Sequence, residues 1–198
     1  MQTGLLFFIF VMMRKKVIFL LLCVASLATM MSCQSNDKKL CRIHGVMESS
    51  RWNGKQIFLV PMFGPQDAEH VDSVVIKDGS FEFVADTTEM KVIRVDYHFR
   101  DGAQELLVVS EPGDVYVKIG ANSTSHGTPQ NDSLQVWKEH IERFNSEYNA
   151  LRAQAHKDGN GDLLMTKGKE IQRELSEYNA KMRENMKSGV FYDFLKNR

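Results

Sequence analysis

The stretch VDSVVIKDGSFEFVA (residues 71–85) shows most directly how this chain folds. Asp78-Gly79 separates two runs that are rich in β-branched and aromatic residues, and this dipeptide strongly favours a two-residue turn between antiparallel strands. In the second run, Phe81 and Phe83 alternate with polar residues, so one face of that strand is predicted to be buried. The stretch therefore predicts a β-hairpin in an antiparallel sheet.

Strand-like runs of the same kind continue on both sides of this stretch. Each is short, rich in β-branched or aromatic residues, and bounded by turn residues such as Gly, Pro and Asn. The runs are residues 40–47, 55–62, 71–77, 80–85, 91–100, 104–110 and 115–119. Seven short strands at this spacing predict that residues 40–121 form an antiparallel β-sandwich or a partial barrel.

Residues 122–132 read as a linker of Ser, Thr, Gly and Pro, after which the hydrophobic period changes from two to about 3.6. Asp132 followed three residues later by Gln135 resembles a capping box at the start of a helix. The first apolar stripe comprises Leu134, Trp137, Ile141, Phe144, Tyr148 and Leu151. The second comprises Leu164, Ile171, Leu175, Tyr178, Met182 and Met186, with Gly168 weakening the start of its helix.

Two such stripes joined by a short loop predict an antiparallel helical hairpin over residues 133–187, with residues 188–198 as a C-terminal tail. The stripes could bury against each other, or they could dock on the sheet or on a partner; packing within the chain is the preferred interpretation. The predicted fold class is therefore α+β.

The N-terminal segment has the pattern of a lipoprotein signal. The cationic residues 14–16 precede the apolar run 17–28, and small Ser32 precedes Cys33. Residues 1–32 are predicted to be a signal peptide, Cys33 the lipid-bearing residue, and residues 33–39 a polar tether. An uncleaved signal anchor is the alternative, but it would place three cationic residues in the bilayer core.

Export and lipidation predict a protein anchored in the cell envelope, at the periplasmic face or in the outer membrane. The bilayer, reached through acylated Cys33, is then its first partner. Two or more acyl chains on that residue would anchor it stably, since one chain alone binds a membrane only marginally. Translation could begin at Met1, Met12 or Met13, because an apolar run lies ahead of the charges.

Composition excludes several classes of function. The formal net charge is zero and no basic stripe is present, so a nucleic-acid partner is not expected. Of the three cysteines, Cys23 would be removed with the signal peptide, and the thiol of Cys33 would carry the lipid. Only Cys41 then remains, which allows neither an internal disulfide nor a CxxC pair; we expect it to be a buried strand cysteine.

No motif identifies a catalytic residue, a metal site or a cofactor site. The segment 158–162 offers oxygens at calcium-loop spacing, but Leu163 and Lys169 occupy the positions that need Gly and a bidentate Glu. A helix–helix turn is the preferred interpretation. The six histidines are scattered without a metal-binding spacing, and Glu139, His140 and Glu142 are expected on a solvated helix face.

Three segments together resemble a known family. They are residues 41–45 (CRIHG), residues 54–60 (GKQIFLV) and residues 72–83 (DSVVIKDGSFEF), followed by GTPQND at residues 127–132. In this order they resemble the domain of unknown function 4369, a β-rich module common in lipoproteins of Bacteroidota, over roughly residues 40–190. In many members this module precedes a thioredoxin-like domain that carries a CxxC motif. Here the chain ends at Arg198, where such a domain would begin.

Two functional hypotheses follow from the sequence. The preferred one is a non-catalytic, membrane-tethered binding module for an envelope component, with the aromatic residues Trp52 and Phe63 as candidate partner contacts, and Tyr97 expected in the core rather than at the surface. The alternative is an accessory or truncated component of a periplasmic thiol–disulfide oxidoreductase system that works beside a thioredoxin-like partner. An unrecognised hydrolase is a weaker third hypothesis.

Overall fold

The structure, a computed structural model of the chain, describes residues 40–95 and 102–197. The predictions made for residues 1–39, including the signal peptide and Cys33, lie outside the described residues. The same holds for Tyr97 and for the second half of the strand predicted over residues 91–100.

The described residues form eight strands in two four-stranded sheets, followed by three helices. The strands are β1 (Cys41–Met47), β2 (Gln56–Pro61), β3 (Asp72–Val75), β4 (Ser80–Ala85), β5 (Met90–Val95), β6 (Leu106–Val109), β7 (Gly113–Ile119) and β8 (Thr124–His126). The first sheet has the order β4-β1-β7-β8 and the second the order β3-β2-β5-β6. The α+β prediction is confirmed, and of its two β architectures the open, two-sheet form is observed.

One strand pair departs from the antiparallel prediction. β1 and β7 are parallel, with Cys41 opposite Gly113 and Met47 opposite Ile119. Parallel neighbours need a long crossover between them. Here the connection from β1 to β7 is most of the β-domain, because it contains β4 and all four strands of the second sheet.

The prediction at Asp78-Gly79 is correct for the turn and for both strands, and wrong for the pairing of those strands with each other. Both turn residues have positive φ, 51° and 73°, as a type I′ turn requires. Only Lys77 and Ser80 pair across it. Beyond that pair the two strands diverge, because β3 pairs with β2 in the second sheet while β4 pairs with β1 in the first.

The core between the sheets comes from the alternating residues predicted to face inward. Ile43 in β1 and Phe81 and Phe83 in β4 are buried, together with inward residues of β2, β5, β6 and β7. Gly45 makes room for one of them, since a Cβ at this position would overlap the Phe81 ring. Large aromatic side chains of β4 therefore pack directly over the backbone of β1.

The helical half begins earlier than its sequence pattern suggests. Helix α1 spans Pro129–Lys157, with Thr128 as N-cap and proline at its first position, where a missing N–H costs nothing. The predicted capping box at Asp132 and Gln135 is therefore wrong. Asp132 lies inside the helix, and its Oδ1 accepts the backbone N–H of Gly127 at 2.9 Å.

Helix α2 (Gly161–Met186) packs antiparallel to α1, which confirms the helical hairpin. The indole Nε1 of Trp137 donates to the buried Asn179 Oδ1 at 2.9 Å across the two helices. Gly168 was predicted only to weaken the start of α2. Its lack of a side chain allows close packing of the two helices, because a Cβ there would come within 3.2 Å of the Tyr148 ring. Within the described residues, neither helix combines the length and hydropathy needed to cross a membrane.

The residues predicted as a C-terminal tail contain a third helix, α3 (Val190–Lys196). Its Phe191, Phe194 and Leu195 are buried in a second apolar cluster with Trp137 of α1 and Met90 of β5. The Trp137 ring meets Phe194 edge-on, with centroids 5.5 Å apart. The tail therefore completes the interface between the hairpin and the second sheet.

Asn131, at the start of α1, joins the helical half to the sheet. Its side chain is fully buried; Oδ1 accepts from Val109 N at 2.9 Å, and Nδ2 donates to Val109 O at 2.7 Å. The same amide group donates to the hydroxyl of Thr128 at 2.8 Å. One side chain thus satisfies both backbone groups of a β6 residue as a neighbouring strand would.

Replacement of Asn131 by alanine is expected to lower the free energy of unfolding by about 2–4 kcal/mol, because both backbone groups of Val109 would lose their partners in a buried position. Urea titration followed by circular dichroism measures the change. Asn149→Ala, an exposed position on the same helix, is the control and should change stability by less than about 0.5 kcal/mol. Equal effects of the two substitutions would contradict the assigned role.

Candidate functional site

The outer face of the first sheet carries a row of polar and aromatic side chains across all four strands. The strand registers place Glu82 of β4 opposite His44 of β1, His44 opposite Tyr116 of β7, and Tyr116 opposite His126 of β8. These residues alternate with buried core residues, so they project outward. The sequence separates them by up to 82 positions, and the sheet brings them into one line.

His44 is held in place from three directions. Its Nε2 lies 2.9 Å from Asp114 Oδ1, and its Nδ1 lies 4.0 Å from Glu82 Oε2. Its ring stacks on Tyr116 with centroids 5.3 Å apart and planes inclined by 25°. A carboxylate against Nε2 favours the tautomer that carries its proton on that nitrogen. The imidazole therefore presents a defined orientation to the outer face.

Apolar side chains surround this row. Tyr116 is 57% exposed, Val46 52% and Val84 49%. A groove of about 870 Å³ crosses this face, bordered by the row itself, by Val46, Lys118 and Thr124, and by Val74 and Val75 of β3. Its volume lies in the range typical of ligand sites, and the exposed valines and tyrosine make its lining amphipathic.

A charged pair stands at one end of the groove. Lys118 Nζ lies 2.9 Å from Glu48 Oε1, and Glu48 also accepts the backbone N–H of Ala121 at 3.1 Å. These hydrogen bonds, that of Lys118 first, hold the pKa of the Glu48 carboxyl below its ordinary value. The carboxylate is therefore ionised at neutral pH, and the pair defines a polar rim.

The chemistry of the row suits binding better than bond cleavage. The ring of His44 contacts two carboxylates and an aromatic ring, whereas a nucleophile–base pair would bring a hydroxyl or thiol to the imidazole nitrogen. Across residues 40–95 and 102–197, no three His, Cys, Asp or Glu side chains are grouped in a way that could hold a metal ion.

The two predicted partner contacts have different environments. Trp52 is only 5% exposed, so the prediction that it lies at the surface is wrong. It ends the 3-10 turn Ser50–Trp52, which directs its ring into the core, and the Arg51 guanidinium covers that ring at 4.5 Å. Phe63 is 64% exposed, beside a groove of about 430 Å³ that Met90 and Phe194 also line.

Cys41 lies in the core of the sandwich, as predicted for a buried strand cysteine. Burial, together with the negative charges of Glu111 and Asp114, raises the pKa of its thiol to about 11, although Lys91 acts in the opposite direction. The thiolate is the reactive form of cysteine, so this residue is poorly suited to thiol chemistry at neutral pH.

The loop considered for calcium is a helix–helix turn. Asn160 caps α2, with its Oδ1 accepting Leu163 N at 3.0 Å, and Gly159 adopts a φ of +61°. This use of the Asn160 oxygen agrees with the preferred interpretation of the segment.

The face of α1 that carries His140 and Glu142, expected to be solvated, is partly covered by other side chains. His140 packs on the Tyr178 ring with centroids 4.1 Å apart. Burial opposes ionisation of Glu142, but donors from Gln104 at 2.9 Å and Lys138 at 3.0 Å outweigh it and lower the pKa of this carboxyl. These side chains help to join α1 to the β-domain.

Comparison with known families agrees with this architecture. A family model described as "Domain of unknown function (DUF4369)" matches residues 41–134. These residues belong to the DUF4369 family. The match spans every strand from β1 to β8 and ends just inside α1. Comparisons with curated proteins and with solved structures found no match.

The DUF4369 match confirms the family predicted from short motifs, and the structure explains the last of them. In the segment 127–132, Gly127 has a φ of +112°, and a Cβ on it would come within 2.4 Å of the Asp114 carbonyl oxygen. Thr128, Asn131 and Asp132 supply the N-cap, the bonds to Val109 and the bond to Gly127. In this chain, residues 127–132 are therefore a structural junction between sheet and helix.

Alkylation of Cys41 by iodoacetamide is expected to be slow in the native protein. Relative to a thiol of pKa 9.0, one near 11 holds about a hundredfold less thiolate at pH 8, and burial slows access further. The rate should rise about tenfold per pH unit while the fold persists. Mass mapping of digests gives the rate at Cys41, with Ser73→Cys as an exposed control; similar rates at the two positions would contradict this assignment.

Proposed function

We propose that this protein is a membrane-tethered, non-catalytic lipoprotein of the cell envelope that acts as a binding module. Cys33 would carry the lipid anchor, and the outer face of the first sheet would be the binding surface. The partner would be another component of the envelope, most simply a protein.

The exposed tyrosine and valines of the first sheet carry this proposal. Tyr116, Val46 and Val84 lie on one continuous sheet face, and each is about half exposed. Exposed apolar patches rimmed by polar groups are characteristic of interaction sites, and tyrosine is enriched among residues that dominate binding. His44 and its carboxylates add hydrogen-bonding groups of defined orientation, which favours recognition of a specific partner.

The environment of Cys41 supports a non-catalytic role. A buried thiol whose pKa is about 11 neither attacks disulfides readily nor exchanges with a partner thiol. This observation favours the binding hypothesis over a contribution of Cys41 to thiol–disulfide exchange.

Photo-crosslinking in the native envelope tests the binding surface. Benzoylphenylalanine in place of Val46 would lie in the groove, and the same residue in place of Met165, which is 62% exposed on α2, provides the control position. We expect adducts from position 46 and not from position 165. Adding Tyr116→Ala should reduce the adduct about tenfold, because the largest exposed side chain of the surface is removed.

An unchanged adduct in the Tyr116→Ala variant would count against this face as the binding surface. Glu177→Ala, at an exposed position of α2, serves as the matched truncation and should leave the adduct unchanged. Thermal unfolding of both variants distinguishes loss of contact from loss of fold.

The anchor is tested by intact-mass measurement of the protein extracted from membranes. We expect cleavage before Cys33 and a mass increase that corresponds to a diacylglycerol and a further acyl chain. Cys33→Ser should abolish the increase in mass, because the variant lacks the thiol to which the lipid would be attached. Without the acyl chains that stable anchoring requires, the protein should be released from the membrane fraction. An unmodified Cys33, or retention of residues 1–32, would refute lipidation.

A further inference from the structure

Strand β4 is an edge strand whose free side can be identified residue by residue. Met47 N donates to Gly79 O at 2.7 Å, and Val46 stands opposite Ser80. Because bonded positions alternate along an antiparallel pair, Phe81 and Phe83 bond to β1, whereas the backbone groups of Glu82 and its even-numbered neighbours point away. Ser80 agrees with this alternation, since its backbone N–H and C=O both bond to Lys77, on the side of β4 that faces away from β1.

Strand β3, which precedes β4 in the chain, does not pair with its free edge. After the Lys77–Ser80 bridge, β3 diverges from β4 and pairs with β2 in the second sheet. Within the described residues, the outward N–H and C=O groups of Glu82 and Val84 therefore have no hydrogen-bond partner. Both residues are exposed, so their backbone groups are available to an incoming chain.

The edges on the opposite side of the sandwich are treated differently. On β8, Ser125 N donates to the Gln135 side chain at 3.0 Å, and on β6 both backbone groups of Val109 bond to Asn131. Helix α1 thus occupies the edges of β6 and β8 with side-chain amides. An exposed strand edge is a template for pairing, and the described part of the chain covers the edges of β6 and β8 but leaves that of β4 open.

The space beside β4 suits a single extended chain. The groove of about 870 Å³ reaches from the outer face over this edge to Val74 and Val75 of β3. A paired strand would lie about 4.8 Å from β4, within the groove.

We propose that β4 takes up an extended segment of another protein as an added antiparallel strand, through the backbone groups of Glu82 and Val84. The inference rests on the proposed binding function and specifies its mode. A residue opposite Glu82 projects to the outer face beside the Glu82 carboxylate, so a basic side chain is complementary there. Its neighbours project toward Phe81 and Val74, so apolar side chains are complementary at those positions. The recognised segment thus alternates basic and apolar residues.

The probe is an eight-residue peptide of alternating valine and lysine, acetylated and amidated at its ends, added to the full chain in detergent micelles. At a concentration about ten times its dissociation constant, the amide hydrogens of Glu82 and Val84 should exchange about tenfold more slowly. Protection of amide hydrogens only in β8 or in the helical hairpin would overturn the proposal, and so would the absence of any protection. A peptide of alternating valine and glutamate should bind more weakly.

Two methylated peptides give a matched control that leaves the protein unchanged. Methylation of the lysine backbone nitrogens removes the donors that face Glu82 and Val84, and should weaken binding about tenfold or more. Methylation of the valine nitrogens places the same number of methyl groups on the opposite edge, and binding should persist. Equal affinity of the two peptides would refute strand addition.

Two variants connect this mode with binding in the envelope. Val84→Pro removes an outward N–H, a change that an edge strand tolerates, while Val84→Thr retains it. Because both variants lose the valine side chain, the effect of the N–H is read from their difference: crosslinking from position 46 should fall further with the proline than with the threonine. If Tyr116→Ala abolishes the adduct and Val84→Pro does not, the binding function stands and strand addition is refuted. A dimer in sedimentation that Val84→Pro dissociates would identify a second copy as occupant, which also refutes the proposal.

Discussion

The arrangement of the two halves depends on the buried amide of Asn131. Its oxygen and nitrogen satisfy the N–H and C=O of Val109, so the end of β6 has a partner without a further strand. A buried backbone group without a partner is costly, which makes this contact a condition for packing a helix against the side of the sandwich. Thr128 and Pro129 start the helix at the point where Asn131 reaches β6.

From this contact, α1 runs along one side of the β-domain and bonds to it at successive turns. Gln135 accepts from Ser125, Lys138 donates to the Ser123 carbonyl, and Glu142 accepts from Gln104. A polar face of α1 therefore covers the edges of β6 and β8, while its apolar residues join the second cluster with α2 and α3. The opposite side keeps the edge of β4, and the first sheet keeps its outer face for recognition.

Local patterns in the sequence predict the elements well, and they predict the neighbours of each strand poorly. Alternation identified the buried face of β4, and the Asp78-Gly79 turn was correct. The pairing of β1 with β7 joins Cys41 to Gly113, 72 residues away, and depends on two sheets packing together. No local signal carries that information. β8 was missed because its three residues, Thr124–His126, lie in a stretch with the composition of a linker.

The candidate site was inaccessible to sequence reasoning for the same reason. His44, Tyr116 and His126 show no shared spacing, and only the order β4-β1-β7-β8 places them in one row. The prediction that Trp52 is exposed was wrong because the turn that it ends directs its ring inward, beneath the Arg51 guanidinium. The family motifs were informative since they mark backbone constraints, such as the positive φ of Gly127.

The groove and the first residue of β1 lie toward different ends of that strand. β1 begins at Cys41, directly after the predicted tether, and the groove borders its second half at His44 and Val46. Seven residues of extended chain span about 24 Å, so the end of β1 that borders the groove lies well away from Cys41. At this end the groove also borders Ser80 and Glu82 of β4, so one extended segment could reach both the outer face of the sheet and the edge of β4.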